Sequence, residues 1–325
     1  MPLRLTRART VALGAAVLVC ALVAWAWRDP MAPLRAVMAL QGAWVGLSEK
    51  RIVIGDHRWA YDEREAASDD APTVVMVHGF TGSKENWYPL AARLRGRYRL
   101  VIPDLPGWGE SQRVAGADYG FSAQAGRLSA FLAQVRRDGS PIVLLGHSMG
   151  GGIVAITSAR HPELVARVGL IDAAGVRFAD NRFGIEVLAG QNPFAVHDAA
   201  SLQRYLDTVF HDRGVQPSIP WPASRAVIDW RIAQAPFEQQ VLDRIGRSDE
   251  RFLPGEAAAA IRQPALLLWC RQDRVIDPSA MALYAAEMPQ AMQVSLDGCG
   301  HMSIMEKPDE VAAAVALLIQ RGVPR

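Results

Sequence analysis

Residues 141–152 read Pro-Ile-Val-Leu-Leu-Gly-His-Ser-Met-Gly-Gly-Gly, an apolar run that breaks off at Gly146-His147-Ser148-Met149-Gly150. This is the G-x-S-x-G pattern, and it fits one backbone arrangement above others: a strand turning sharply into a helix, with the serine hydroxyl exposed at a strained apex and the next N–H pointing into the same space. Glycine two residues before and two after Ser148 leaves room where a Cβ would strike the neighbouring strand or helix. The flanks agree. Residues 142–145 are β-branched or leucine, as a buried parallel strand requires, and residues 151–159 are mostly small, which suits close helix packing. Taken alone, the pentapeptide also fits a glycine-rich turn that holds an incidental serine, so the rest of the chain has to decide.

A chain of 325 residues that is 50% hydrophobic can bury a large core, and one α/β domain with an insertion is the preferred organisation. The formal net charge is +2 and the basic residues are dispersed, which gives no nucleic-acid-binding surface. Cys20, Cys270 and Cys299 show neither C-x-x-C nor His-rich spacing, so no metal is implied, and no cofactor is expected.

The N-terminus departs from this ordinary composition. A basic segment, residues 1–10 with Arg4, Arg7 and Arg9, precedes the uncharged apolar stretch 11–27. Its roughly 17 residues span ~26 Å as a helix, slightly short of a ~30 Å hydrocarbon core and within tolerance. The arginines favour the cytoplasmic side, which puts the remaining chain across the membrane. The expectation is an inner-membrane anchor with a periplasmic or otherwise extracytoplasmic domain. The alternative is a secreted or periplasmic protein cleaved at Ala24-Trp25-Ala26, which has signal-peptidase spacing. Residues 28–50 follow as a juxtamembrane segment. Within it, 33–47 has apolar residues three and four apart, which predicts an amphipathic helix lying on the membrane or against the domain.

Residues 51–325 carry the expected catalytic domain. The segment 51–61 reads as two short strands turning at Gly55-Asp56. Strands are then predicted at Thr73–Val77, Arg99–Pro103, 142–145, 165–171, 265–269 and Met292–Leu296. Helices are predicted at 84–94, 122–135 with Ser122 as cap, after Ser148, at 279–288 and at Pro308–Gln320. Regular alternation of this kind builds a mostly parallel sheet covered on both faces. It stops between about 174 and 246, a stretch rich in Phe, Trp and Pro that reads as a helical cap over the edge where ligands bind in open α/β sheets.

A serine hydroxyl needs a base, and the base needs an orienting group. Of seven histidines, His301 is the best base, because it follows the last strand in Asp297-Gly298-Cys299-Gly300-His301 and lands on the same sheet edge as Ser148. His147 reads as a packing residue. His78 ends a strand in a loop, His197 and His211 lie in the cap, and His57 and His161 have no supporting context. For the orienting carboxylate Asp273 is preferred, with Asp172 next; Asp277 is one turn beyond Asp273. The expected oxyanion donors are the backbone N–H groups of Met149 and of Phe80 in His78-Gly79-Phe80-Thr81-Gly82.

These residues, with Pro103-Asp104-Leu105-Pro106-Gly107-Trp108-Gly109-Glu110-Ser111 and Glu306-Lys307-Pro308, resemble the α/β-hydrolase superfamily. Leu268-Trp269-Cys270-Arg271-Gln272-Asp273, Cys299-Gly300-His301 and the apolar N-terminal stretch look like the membrane-anchored monoacylglycerol lipases and their bacterial lipase relatives. The resemblance runs from about residue 51 to 321. It implies an eight-stranded, mostly parallel sheet and a serine carboxylester hydrolase acting on monoacylglycerols or other medium-chain lipid esters; the alternatives are the same nucleophile acting on another bond, as a C–C hydrolase, amidase or acyltransferase, and a catalytically silent binding module. Those relatives usually have glycine where Cys270 stands. Cys270 and Cys299 should end neighbouring strands; an extracytoplasmic domain would let them pair, but two buried free thiols are the preferred expectation.

Overall fold

The β-branched runs become strands because both of their faces can be covered. The computed structural model describes residues 7–68 and 70–321, so part of the basic segment, residues 1–6, lies outside the described residues. Helices α1 (Arg7–Arg28) and α2 (Ala32–Val45) lead into the hairpin β1 (Ser48–Ile54) and β2 (His57–Arg64). Next come β3 (Thr73–Val77), α3 (Tyr88–Arg93), β4 (Arg99–Pro103), α4 (Phe121–Val135), β5 (Ile142–His147), α5 (Met149–Arg160) and β6 (Arg167–Ile171). The cap supplies α6 (Arg182–Leu188), α7 (Ala199–Val209) and α8 (Ala223–Arg247), before α9 (Leu253–Ala258) returns the chain to the core. The remaining elements are β7 (Ala265–Cys270), α10 (Ser279–Glu287), β8 (Met292–Leu296), α11 (Ser303–Glu306) and α12 (Pro308–Gln320).

The eight strands form one sheet in the order β1-β2-β4-β3-β5-β6-β7-β8, antiparallel at β1–β2 and β2–β4 and parallel elsewhere. Val74, Met76, Val143 and Leu145 pack on one face with Leu90, Val311 and Leu318 of α3 and α12. Val75, Val77 and Leu144 pack on the other with Leu128, Phe131 and Ile153 of α4 and α5. Burial of successive residues on opposite faces explains why these strands read as continuous apolar runs rather than alternating ones. From β3 the chain goes to β4 on one side and to β5 on the other. That reversal opens a crevice at the carboxyl ends of β3 and β5, the usual ligand position in such sheets.

Several expectations change in detail. The predicted 84–94 helix is a 3₁₀ turn, Lys84–Trp87, followed by α3. Pro89 is the reason, since it cannot donate within a continuous helix but is tolerated in the first turn of a new one. Ser122 does not cap α4. Gly120 holds that position, and the Ser122 hydroxyl accepts from Arg160 Nη1 at 3.0 Å. Helix α2 packs Val45 into the core while Val37, Leu40 and Trp44 stay exposed. Among the described residues no helix is long and apolar enough to cross a membrane. Several α1 side chains between residues 7 and 23 lie outside that set.

The expectation of two free thiols is overturned: Cys270 and Cys299 form a disulfide, with Cα atoms 5.4 Å apart. β7 and β8 are parallel neighbours, with Cys270 opposite Leu296, so they end at the same edge. The turn at Gly298, φ +69°, brings Cys299 back over Cys270. The bond joins residues 29 positions apart. Loop-closure entropy for a span of that size corresponds to about 3–4 kcal/mol of stabilisation. A Cys270→Ala/Cys299→Ala double variant is therefore expected to unfold at a clearly lower urea midpoint; an unchanged midpoint would show that the bond does not constrain the unfolded chain.

Candidate active site

Ser148 sits between β5 and α5 at φ 56°, ψ −123°, a conformation that a residue with a Cβ rarely adopts. Its N–H donates to Ile171 O at 3.0 Å, and its carbonyl accepts from Gly151 and Ala174 at 2.9 and 3.0 Å. The corner is therefore fixed by hydrogen bonds on both sides. The flanking glycines are required sterically: a Cβ on residue 146 would lie 2.4 Å from Gly150 O, and one on residue 150 would lie 2.4 Å from Val77 O. Thr81 and Asp172 are the other non-glycine residues with positive φ among those described, at 58° and 46°. All three lie at the carboxyl ends of the central strands, so the backbone strain is concentrated where the crevice opens.

His301, in the loop after β8, is buried and holds Asp273 Oδ2 at 2.8 Å through Nδ1. Asp273 Oδ1 accepts the N–H groups of Val275 and Ile276 at 2.8 and 3.1 Å. An imidazole whose Nδ1–H donates to a carboxylate keeps the lone pair on Nε2. Burial pushes His301 well below the ordinary histidine value, with the Glu306 carboxylate opposing. Burial also pushes Asp273 up, while the two backbone N–H groups pull it down.

Asp172, the runner-up for the orienting role, points elsewhere. Its Oδ1 accepts Cys270 N at 3.0 Å and its Oδ2 bonds the Ser303 hydroxyl. Burial, followed by the neighbouring Asp273, raises it well above the usual carboxylate range. Asp277 accepts the Ser279 N–H at 2.9 Å.

Two histidines do more than the sequence reading assigned them. His147 packs against the His301 ring, with centroids 4.8 Å apart, and its Nε2–H donates to the His301 carbonyl at 2.6 Å. His78 donates from Nδ1 to Gly79 O at 2.8 Å and accepts Leu105 N at Nε2 at 3.0 Å. This locks the Phe80 loop to the loop after β4. Buried Asp104 reinforces the link by accepting from Lys84 N and Glu110 N at 2.8 and 2.9 Å. Nothing local in the sequence signals these cross-loop bonds. A Cβ on Gly79 would be 2.8 Å from Ser148 Cβ, so the loop lies directly against the elbow. His57 is buried beside Tyr119, whereas His161, His197 and His211 lie on the surface or near it.

Ser148, Met149 and Phe80 line one part of a cavity of ≈ 210 Å³. The cap and the segments beside it enclose the rest with Phe183, Val187, Phe194, Leu242 and Ile245. Phe194 stacks on Phe80 with centroids 5.9 Å apart, so the cap reaches the loop against the serine.

A profile of the α/β hydrolase fold family matches residues 72–308. Lipase 1 of Psychrobacter immobilis is 31% identical over 242 residues, 74% of this chain and 74% of that protein. Monoacylglycerol lipase ABHD6 of Rattus norvegicus is 25% identical over 279 residues, 83% of this chain and 82% of the relative. Among solved structures, a membrane phospholipase A described as a bacterial virulence factor superposes with a TM-score of 0.82. It is 32% identical and covers 95% of this chain and 98% of its own.

Proposed function

The chain belongs to the α/β hydrolase fold family and is a carboxylic ester hydrolase, and we propose that it cleaves lipid acyl esters, monoacylglycerols or other medium-chain esters, through an acyl-enzyme on Ser148. The observation that carries this reading is the apolar cavity under the cap that opens on the serine, with Phe183, Val187 and Leu242 placed to receive an acyl chain. Ser148 Oγ attacks the acyl carbon while His301 Nε2 takes its proton, and Asp273 holds the imidazole in the tautomer that can do so. The backbone N–H groups of Phe80 and Met149 receive the oxyanion. His301 returns the proton to the departing alkoxide, and a water activated by the same nitrogen then releases the fatty acid.

A lipid substrate agrees with the N-terminus. Residues 11–27 serve in this reading as a retained anchor, with Trp25 and Trp27 exposed at its end. Trp27 packs edge-on against Trp221 of the cap, ring centroids 5.3 Å apart, which brings the anchor to the element that covers the cavity. The disulfide favours an extracytoplasmic domain, because such bonds persist in oxidising compartments.

The test is a p-nitrophenyl ester series of increasing acyl length, with a monoacylglycerol beside it, using full-length chain from washed membranes. The expected result is kcat/KM rising from acetate to medium chains and hydrolysis of the monoacylglycerol. A chain that prefers acetate to every longer ester would remove the acyl-cavity reading.

A further inference from the structure

Glu306 belongs to the Glu306-Lys307-Pro308 stretch noted in the sequence, has no part in the bond-breaking steps, and is nevertheless nearly buried. Its Oε1 accepts the N–H of Gly300 at 2.7 Å. Its Oε2 accepts the N–H groups of His211 and Asp212 at 2.9 and 2.7 Å. Gly300 immediately precedes His301, whereas His211 and Asp212 follow α7 in the cap. One carboxylate therefore bridges two pieces of chain that lie far apart in the sequence. The contact between them is intimate: Met302 N donates to Val209 O at 3.0 Å, and a Cβ on Gly300 would lie 2.8 Å from His211 N and 3.1 Å from Val209 O. On its other side the His301 carbonyl is held by His147.

We propose that Glu306 is a positioning residue that fastens the His301 loop to the cap, so that the base holds its working place only while cap residues 209–212 are seated. This rests on the reading of His301 as the general base. A carboxylate is an acceptor only, and its bonds to N–H donors are stronger than neutral ones. Lifting the cap segment would leave half of a buried carboxylate without partners, which is costly, so cap and base loop move together. A glutamine of the same shape cannot substitute, because its NH₂ must face either Gly300 N–H or the His211 and Asp212 pair.

The charge supplies a readout that a merely structural role would not move. The titratable groups around His301 are Asp273 after β7, His147 on β5 and Glu306 at the end of α11; Asp172, after β6, neighbours Asp273, and the cap residues His211 and Asp212 meet Glu306 through their backbone N–H groups. Burial lowers the proton affinity of His301 and the Glu306 carboxylate raises it. Activity in the unaltered chain should thus persist below the ordinary histidine value of about 6.5 and fall as pH drops through the lowered one. Removing the Glu306 charge should carry that acid limb to still lower pH.

The experiment measures kcat and KM against pH on p-nitrophenyl butyrate, and amide hydrogen exchange, for the full chain and for Glu306→Gln, Glu306→Asp and Gly300→Ala. Glu306→Gln is expected to lose on the order of 10²-fold in kcat with little change in KM, as misplacement of a catalytic group does. Its acid limb should move down, and residues 209–212 and 298–302 should exchange faster together. Glu306→Asp should leave the limb in place and restore part of kcat. Gly300→Ala wedges the cap off the loop with the charge intact, so kcat should fall while the limb stays; this variant carries the test if Glu306→Gln fails to fold. Unchanged kcat and limb in Glu306→Gln, or faster exchange confined to 298–302, would overturn the proposal. An unaltered, folded chain inert toward every ester would instead remove the hydrolase reading, and the exchange result would still decide whether Glu306 fastens the two segments.

Discussion

Ser148→Ala is expected to lower kcat on p-nitrophenyl esters by about 10⁴-fold or more and to abolish covalent labelling by a fluorophosphonate probe, while the protein stays folded. The size follows from the chemistry. In the proposed mechanism removing Oγ removes the acyl-enzyme, and what remains is water attacking an ester held near the Phe80 and Met149 N–H groups, a residual advantage of roughly 10³–10⁴ over solution. The fold should survive, because the Ser148 hydrogen bonds that fix the corner come from its main chain. Alanine at φ 56° is no more strained than serine there. Melting temperature together with rate therefore separates loss of chemistry from loss of structure. A variant that keeps the full rate would place the nucleophile elsewhere, and an unaltered chain that the probe fails to label would make this a binding module on a hydrolase fold.

What could be read from the sequence was what depends on near neighbours in the chain. The elbow needs glycine at 146 for contacts made within a few residues, and the central strands show themselves because they are apolar on both faces. His301, and the choice between Asp273 and Asp172, could be placed from strand order, since the carboxyl ends of parallel strands share one edge. What remained hidden depends on how loops from distant strands lean on one another. Cys299 reaches Cys270 only because the chain folds back at Gly298. His78 reaches Leu105, and His147 reaches the carbonyl of His301, across 27 and 154 residues. Glu306 meets the cap 94 and 95 positions away, through backbone N–H groups that have no side-chain signature. Cap sequences give helices, but the direction in which a helix presents its ends to the core is set by packing and is not written in its periodicity.

Asp172 and Asp273 show the same division, and they support the second large prediction. Both end strands at the correct edge, so position alone left them as alternatives. Orientation separates them: Asp273 accepts Nδ1–H of His301 at 2.8 Å, whereas Asp172 is turned, at φ 46°, toward Cys270 N and Ser303. Asp273→Asn is expected to lower kcat by about 10⁴-fold, because an amide NH₂ facing Nδ1 favours the tautomer with the proton on Nε2, where the base must be empty; the figure is that measured for the equivalent change in a serine protease. Asp172→Asn should cost far less. The two Asp172 oxygens are taken up by Cys270 N–H and the Ser303 hydroxyl rather than by the imidazole, so an asparagine of nearly the same shape keeps an acceptor for Cys270 N and leaves the His301 tautomer undisturbed. The asymmetry also tests the electrostatics, because removing one of two adjacent buried carboxyl groups relieves repulsion on the other. Steady-state rates on one ester with both folded variants are sufficient. If Asp273→Asn kept its rate and Asp172→Asn lost it, the imidazole would be oriented from β6, and the 2.8 Å contact would be packing rather than mechanism.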